Sequence, residues 1–334
     1  MGTDSRRLRW GILGVAKINN RLKPAFLASK TVTLQAIASR SLDKAQAAAK
    51  DFGIPTAHGS YEALLADPAV EAVYIPLPNS MHAEWAKKAA DAGKHVLCEK
   101  PLCPAAPEAA DLVAYCRAKN VRLMDGFMWP HHPRTHAIRK ILDAGTIGEL
   151  RRVTGVFTFK MDSLTTDNIR LQPDLGGGSL LDVGCYPIFG IRWAFGAEPV
   201  AAFARAKLIN GVDVELTGQL AFADGRLANF DCGFTTPMRQ WFEITGDKGV
   251  IRVPDLWAPD KKATFDVELT GKPAETTAIE GEDHMVHMLD DFAAAVWEKR
   301  DPRPSPDEAV KTLRVLDAIA RSVREGREVP VEVG

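Results

Sequence analysis

Short apolar runs alternate with segments of helical periodicity through the first 128 residues, and this alternation limits the fold more than any other feature of the chain. Apolar runs of strand length that alternate with helices indicate a parallel sheet with helices on both faces. The sequence therefore predicts a doubly wound α/β domain. Its predicted strands span residues 8–14, 32–39, 72–76, 96–98 and 122–128.

After residue 128 apolar and polar residues alternate one by one over long stretches, which is typical of antiparallel strands. We therefore expect two domains, residues 1–128 with the parallel sheet and residues 129–334 with an α+β fold built on a large, mostly antiparallel open sheet. The strands predicted for the second domain span residues 152–159, 200–209, 212–222, 226–234, 240–246, 249–253 and 263–269, and two helices follow at 283–299 and 306–324.

Composition excludes several classes of protein. With 42 basic and 43 acidic residues, the net charge of −1 provides no field that would attract nucleic acid or a membrane surface. No apolar run approaches the length of a transmembrane helix. The 5 cysteines include no C-x-x-C pair, which favours reduced thiols and a cytoplasmic location. His132 and His136 have the i, i+4 spacing of metal ligands, but a third ligand is missing, and no metal is expected.

The segment from Gly14 to Asn19 occupies the place of a G-x-G-x-x-G/A fingerprint, between the first strand and the first helix. Such a turn lets backbone N–H groups approach a pyrophosphate at a helix N-terminus. Ala16 replaces the second glycine and Asn19 the third. Because alanine is the smallest departure from glycine, Ala16 still allows that approach, whereas Asn19 is expected to loosen the packing of helix on strand. A plain turn between strand and helix is the alternative.

The end of the second strand favours NADP over NAD. An enzyme selective for NAD carries an acidic residue there, on the ribose hydroxyl. This chain has Ser39 and Arg40, and a guanidinium can pair with a 2′-phosphate. The alternative is an arginine that only opens the next helix.

Two further stretches carry candidate catalytic groups. The strand before Glu99 ends in Lys100 and Pro101, so the lysine is held where open α/β sheets bind ligands. In the second domain, the glycines at 176–178 precede Asp182 and Tyr186, which are four residues apart and so share a helix face. A tyrosine hydroxyl, with a free pKa near 10, needs a nearby cation to exchange protons at neutral pH. Packing alone is the alternative for both stretches.

Taken in order, these motifs resemble the glucose–fructose oxidoreductase/inositol dehydrogenase/MocA family. The resemblance implies a Rossmann domain and a C-terminal domain whose open sheet face joins copies of the chain, as a dimer or tetramer. It also implies that Lys100 is catalytic, that the Lys100–Pro101 bond is often cis, and that Asp182 positions substrate. Tyr186 is similar to the branch containing aldose dehydrogenases and dihydrodiol dehydrogenases, whereas many members have histidine there. The segment from Asp125 to Trp129 departs from the usual Glu-Ala-Phe-Met-Tyr.

The sequence thus predicts an NADP-dependent oxidoreductase that transfers a hydride to or from a sugar of the aldose type or a related polyol. Alternatives are a nucleotide-sugar ketoreductase or trans-dihydrodiol dehydrogenase of the same fold, and a catalytically silent NADP sensor. The predicted catalytic residues are Lys100, Tyr186 and Asp182. The predicted cofactor-binding residues are Gly14, Val15, Ala16, Lys17, Ile18, Ser39, Arg40, Pro76, Leu77, Asn79, His82, Glu99 and Lys100. The predicted substrate-binding residues are Lys100, Trp129, Arg170, Asp182 and Tyr186.

Overall fold

The computed structural model describes residues 6–165, 167–281 and 283–332. The chain divides into two compact units, which are not continuous in sequence. The first comprises Met1–Cys103, Pro107–Phe127 and Met285–Ala309, and the second Pro104–Ala106, Met128–His284 and Val310–Gly334. The division into domains 1–128 and 129–334 stays a prediction.

The first unit contains a six-stranded sheet whose strands follow the order β3-β2-β1-β4-β5-β6, and every pairing in it is parallel. The predicted doubly wound sheet is therefore confirmed. Strand β3 is absent from the prediction, because three half-buried residues are too few to show a periodicity. The strands are β1 (Leu8–Leu13), β2 (Val32–Ala38), β3 (Thr56–His58), β4 (Ala72–Ile75), β5 (His95–Cys98) and β6 (Leu123–Asp125).

Helices connect these strands, and α2 has favourable capping residues at both of its ends. Ser41 accepts a hydrogen bond from the Lys44 amide at the start of α2, and Gly53 ends that helix in the left-handed conformation. The helices are α1 (Asn19–Ala28), α2 (Leu42–Phe52), α3 (Tyr61–Leu65), α4 (His82–Asp91) and α5 (Ala106–Ala118). Because the strands are parallel, their carboxyl ends, with the loops that follow them, lie along one edge of the sheet.

The second unit contains a nine-stranded sheet in the order β14-β13-β12-β11-β7-β10-β9-β8-β15. All its pairings are antiparallel except that of β7 with β10, so the predicted, mostly antiparallel sheet is confirmed. The strands are β7 (Leu150–Thr158), β8 (Pro199–Ile209), β9 (Val212–Phe222), β10 (Leu227–Gly233), β11 (Phe242–Gly246), β12 (Gly249–Val253), β13 (Lys262–Leu269), β14 (Glu275–Glu280) and β15 (Val329–Pro330).

One face of this sheet is covered by an apolar helix that carries the candidate tyrosine. Gly155 of β7 and Gly190 of the helix allow close packing, because a Cβ at either position would lie within 3 Å of a neighbouring side chain. The remaining helices are α6 (Pro133–Asp143), α7 (Cys185–Phe195), α8 (His284–Glu298) and α9 (Asp307–Glu325). Among the described residues, none of the helices combines the length and apolar character that crossing a membrane requires.

Candidate active site

The turn after β1 is tight, and Asn19 holds it closed. Gly14 has φ = +130°, which favours glycine, and a Cβ there would lie 3.1 Å from Leu77 Cδ2. The Asn19 side-chain amide donates a hydrogen bond to the Gly14 carbonyl oxygen at 2.8 Å, and Asn19 is only 2% exposed. The expectation that Asn19 loosens the packing of α1 is therefore wrong, because this side chain ties the start of the helix to the end of the strand.

The first turn of α1 is suited to an anion. Its N-cap, Ile18, forms no side-chain capping bond, and no acidic residue lies in the first turn. The N–H groups that open a helix carry partial positive charge and attract phosphate. Val15 and Lys17 are exposed, while Ala16 is half-buried. This part of the chain therefore fits the pyrophosphate of a dinucleotide.

The end of β2 presents a cation to solvent. Arg40 is exposed, and Ser39 is nearly buried, with its hydroxyl accepting a bond from the Ser41 amide at 3.3 Å. Tyr61 lies close by: its hydroxyl is 3.9 Å from where a Gly14 Cβ would stand. Burial raises the pKa of Tyr61, and the Arg40 guanidinium acts in the opposite direction. An exposed arginine without an acidic neighbour on the strand end suits a phosphate ester.

The loop after β4 is anchored by a buried histidine. The His82 ring is fully buried, with Nε2 at 2.8 Å from the Leu77 carbonyl oxygen and Nδ1 at 3.0 Å from that of Pro101. Burial lowers the pKa of His82. We infer that His82 fixes two loops at the sheet edge, while Pro76 is buried and Leu77 and Asn79 are half-buried in the loop itself.

The end of β5 carries the candidate lysine. The Tyr74 hydroxyl donates to Glu99 Oε1 at 2.5 Å, which holds the carboxylate beside the neighbouring strand. Lys100 is half-buried, and the Lys100–Pro101 bond is cis, as the resemblance implied. Gly14 and Lys100 thus follow two strands of one parallel sheet, and both lie at its carboxyl edge.

In the second unit, Gly177 and Gly178 approach protein rather than leaving space for a ligand. A Cβ on Gly177 would lie 2.7 Å from the Arg170 carbonyl oxygen, and one on Gly178 would lie 2.4 Å from Asp213 Oδ1. Asp213 Oδ2 also accepts bonds from the Ser179 hydroxyl at 2.6 Å and the Leu180 amide at 2.7 Å. Burial raises the pKa of Asp213, while these bonds act against the rise. The glycines therefore let a loop close over the start of the helical segment.

Asp182 and Tyr186 follow on that helical segment. Residues 180–184 form a π-helical turn that leads into α7, and Asp182 Oδ2 accepts a bond from Arg170 Nε at 2.6 Å. The Tyr186 ring packs edge-on against Phe157 at 5.0 Å, and its hydroxyl lies 3.6 Å from Met128 Sδ. The helical segment thus supplies a phenol and a carboxylate that is ion-paired with Arg170.

The position of Trp129 differs from what a pocket wall requires. Its side chain is 0% exposed, and its ring packs against Phe189, Trp193 and Trp257 at 5.2, 5.4 and 5.6 Å. This residue forms part of an aromatic core. We therefore expect Trp129 to support the site without touching substrate.

Several residues at these positions escaped the sequence analysis. In the sequence, Asn19 is only a departure from glycine, and Tyr61, Tyr74 and Asp213 carry no motif signal. The contacts of Tyr61, Tyr74 and Asp213 join segments that are distant in sequence. Within the described ranges, no cluster of three or more His, Cys, Asp or Glu residues is arranged to hold a metal ion.

Two family models match the chain. One, described as an oxidoreductase family with an NAD-binding Rossmann fold (GFO_IDH_MocA), matches residues 8–127. The other, the GFO/IDH/MocA C-terminal domain, matches residues 135–252. Together they span the turn after β1, the candidate lysine and the candidate tyrosine.

Relatives of similar length have named activities. D-xylose 1-dehydrogenase (NADP(+)) 2 of Haloferax volcanii is 38% identical over 328 residues, which cover 97% of this chain and 100% of that protein. The crystal structure of KijD10, a 3-ketoreductase from Actinomadura kijaniata in complex with NADP and TDP-benzene, matches with a TM-score of 0.88 at 33% identity, covering 95% and 98% of the two chains. Aldose-aldose oxidoreductase from Caulobacter crescentus, complexed with glycerol, matches with a TM-score of 0.90 at 28% identity, covering 97% and 100%.

Proposed function

The chain belongs to the GFO/IDH/MocA oxidoreductase family, and we propose that it transfers a hydride between NADP and a hydroxyl-bearing carbon of an aldose-type sugar or a related polyol. Family membership confirms the resemblance drawn from the motifs. The relatives with named activities are oxidoreductases, among them an NADP-dependent xylose dehydrogenase. Their activities support the substrate class proposed for this chain.

Within the first unit, the phosphates and the nicotinamide half of the proposed cofactor each have candidate binding groups. The Gly14 turn and the uncapped start of α1 would bind the pyrophosphate, and Arg40 with Ser39 would bind the 2′-phosphate. The nicotinamide ring, when bound, supplies the hydride acceptor or donor. The loop from Pro76 to His82 and Glu99 would line the nicotinamide half.

The proposed chemistry at the substrate uses three side chains. Tyr186 exchanges a proton with the substrate hydroxyl, and Lys100 supplies the positive charge that makes a tyrosine usable at neutral pH, or itself relays the proton. Asp182, held by Arg170, accepts a hydrogen bond from a neighbouring substrate hydroxyl and thereby orients the sugar. Glu99 stays fixed by Tyr74, so the turn that carries Lys100 is rigid.

The observation that carries this proposal is the placement of Gly14 and Lys100 along the same carboxyl edge of one parallel sheet. Ligands of open α/β sheets bind at that edge. A dinucleotide turn and a lysine held there by a stiff strand support hydride transfer with proton transfer close by.

The test is direct. Purified protein is mixed with NADP or NAD and a panel of aldoses, inositols and dihydrodiols, and reduced nicotinamide is followed by absorbance and fluorescence. We expect reduction of NADP by an aldose or polyol, and loss of turnover by orders of magnitude in Lys100→Met with NADP binding retained. Full turnover in Lys100→Met would contradict the role of the lysine.

A second candidate function is reduction of a keto group on a nucleotide-linked sugar. It is favoured by the similarity to the 3-ketoreductase KijD10, which extends over 95% of this chain. Binding of NADP without reduction by any panel compound, followed by oxidation of NADPH with a nucleotide-linked keto sugar, would support it. Turnover with a trans-dihydrodiol would identify a trans-dihydrodiol dehydrogenase. Binding of NADP without turnover of any compound would identify a catalytically silent NADP sensor.

We also propose a homo-oligomer, a dimer or tetramer formed through the open face of the second sheet, and a cytoplasmic location. Trp241 and Met238 are exposed in the second unit. Arg252, on the open face, bonds Glu243 and Glu268, and such charges can pair across an interface. Sedimentation of the purified protein tests the oligomer.

The cysteines support the cytoplasmic location. All 5 are free and buried, in keeping with a reducing compartment.

A further inference from the structure

The hydroxyl of Tyr61 lies beside the turn that follows β1. It is 3.9 Å from the point where a Cβ of Gly14 would stand. The two other atoms nearest to that point are carbon atoms, Leu77 Cδ2 at 3.1 Å and Pro76 Cγ at 3.9 Å. Of these three neighbours of the turn, only the Tyr61 hydroxyl can form a hydrogen bond with a ligand.

The Tyr61 side chain is buried, yet its hydroxyl has no hydrogen-bond partner in the described part of the chain. Tyr61 is only 8% exposed. A buried tyrosine usually finds a partner for its hydroxyl. The chain has 4 tyrosines, and each of the other three hydroxyls donates to an acceptor in the protein, namely Tyr74 to Glu99, Tyr115 to Asp91 and Tyr186 to Met128. A bound ligand would supply the partner that Tyr61 lacks.

Neighbouring side chains hold the ring of Tyr61 in place. It meets the ring of Trp85, on α4, edge-on, with centroids 4.8 Å apart and an angle of 86° between the planes. The ammonium group of Lys88 lies 4.0 Å from the centroid of the Trp85 ring. The Ser60 hydroxyl caps α3 by accepting a bond from the Ala63 amide at 3.1 Å. The ring is therefore fixed without help from its own hydroxyl.

The hydroxyl of Tyr61 is a hydrogen-bond donor at neutral pH. Burial raises the pKa of Tyr61 above its ordinary value near 10, and the Arg40 guanidinium offsets only part of this rise. The turn beside it leads into α1, whose N-cap, Ile18, forms no side-chain capping bond. An anion at this turn can therefore receive hydrogen bonds from backbone N–H groups and from the phenol.

We propose that the Tyr61 hydroxyl donates a hydrogen bond to the pyrophosphate of NADP bound at the Gly14 turn. Tyr61 would then be a cofactor-binding residue that acts together with the glycine turn and the start of α1. It opens α3 and so belongs to a different strand–helix unit from the fingerprint, which is why no motif contains it. This role rests on the proposed function, which makes NADP the ligand.

The variant Tyr61→Phe isolates the hydroxyl. Phenylalanine keeps the ring against Trp85, and no hydrogen bond within the described protein is lost. Without nucleotide, the free energy of unfolding should therefore equal that of the wild type. The affinity for NADP, measured by calorimetric titration, should fall about 10-fold or more, because a hydrogen bond to a charged group is lost. Tyr115→Phe, which removes a surface hydroxyl bonded to Asp91, is the matched control and should bind NADP like the wild type.

Fragments of the nucleotide locate the bond. NAD and ADP-ribose both contain the pyrophosphate, and Tyr61→Phe should weaken their binding by the same factor as that of NADP. Adenosine 2′-monophosphate has no 5′-phosphate, so the variant should bind it like the wild type in competition with NADP. A loss confined to NADP and adenosine 2′-monophosphate would place the hydroxyl at the 2′-phosphate and overturn the proposal. An equal loss for all four ligands would place it at the adenosine and overturn the proposal as well.

Failure of this role can be told apart from failure of the proposed function. A wild type that binds no NADP would overturn both. Reduction of NADP by a sugar, with equal NADP affinities of the wild type and Tyr61→Phe, would overturn only the role of Tyr61. Weaker NADP binding by Tyr61→Phe, in a protein that turns over no sugar, would support that role and contradict the proposed reaction. Lower stability of the nucleotide-free variant with unchanged nucleotide affinity would make the hydroxyl a structural group and overturn the proposal.

Discussion

The Asn19 side-chain amide donates its hydrogen bond to the carbonyl oxygen of Gly14, at a distance of 2.8 Å. This bond joins the first residue of α1 to the residue at which the chain leaves β1. It substitutes for the close packing that a third glycine provides in a dinucleotide fingerprint. The turn is therefore held by a hydrogen bond from the Asn19 side chain, at a position where the fingerprint has a glycine without a side chain.

The variant Asn19→Ala tests the role of the hydrogen bond between Asn19 and Gly14. We expect the free energy of unfolding to fall by about 1–2 kcal/mol, because the buried Gly14 carbonyl loses its partner. The affinity for NADP should fall as well, since the turn that presents the N–H groups is loosened. Denaturant unfolding and fluorescence titration measure the two effects. Asn20→Ala, at the exposed neighbour, is the control, and equal effects of both changes would refute the role of Asn19.

Arg40→Ala tests the preference for NADP. Loss of a charge-assisted bond to the 2′-phosphate costs about 1.5–3 kcal/mol, which is roughly a 10- to 150-fold weaker affinity for NADP. The affinity for NAD should stay unchanged, because NAD lacks that phosphate. Calorimetric titration with both nucleotides measures the ratio, with the exposed Lys30→Ala as control. A similar loss for NAD and NADP would contradict the assignment.

Tyr186→Phe tests proton transfer while keeping the ring that packs on Phe157. We expect turnover to fall about 10²- to 10⁴-fold, the usual contribution of a general acid or base, with NADP binding unchanged. Steady-state kinetics with the identified substrate supply the measurement. Tyr115→Phe, at a tyrosine whose hydroxyl bonds Asp91 on the surface, is the matched control. Wild-type turnover in Tyr186→Phe would exclude the phenol as the proton-transfer group.

Gly178→Ala tests the closure of the glycine loop. Gly178 has φ = +110°, and a Cβ would lie 2.4 Å from Asp213 Oδ1, so the substitution meets both backbone strain and a clash. We expect a loss of about 2–4 kcal/mol in unfolding free energy. Gly271→Ala has a similar backbone strain, with φ = +78°, but no atom within 4 Å, so about 1 kcal/mol is expected. Equal losses would show that the contact with Asp213 has no effect.

The features predicted from sequence are those set by local periodicity. The parallel strands and the placement of Gly14 and Lys100 at strand ends follow from apolar runs and from the rule that such ends share an edge. The contacts of Trp129 and Asp213 could not be predicted from such patterns. Whether a tryptophan lines a pocket or joins a core, and which acid caps a helix 33 residues earlier in the chain, depend on tertiary contacts that one-dimensional patterns do not contain.

Burial raises the pKa of Asp125 well above its usual value, which links its protonation to stability. An acid whose pKa is higher in the folded than in the unfolded chain stabilises the fold fully below the unfolded pKa, near 3.9, and this contribution is lost as pH rises through the folded pKa. Within that window the folded chain binds one more proton, so the free energy of unfolding falls by about 1.4 kcal/mol per pH unit.

Asp125→Asn removes this proton and should flatten that part of the pH dependence. Relative to the wild type, the variant is expected to gain stability as pH rises above the unfolded pKa of aspartate, near 3.9. Denaturant unfolding at several pH values measures the slopes. Parallel curves for the wild type and Asp125→Asn would show that Asp125 is ionised in the folded chain throughout this range.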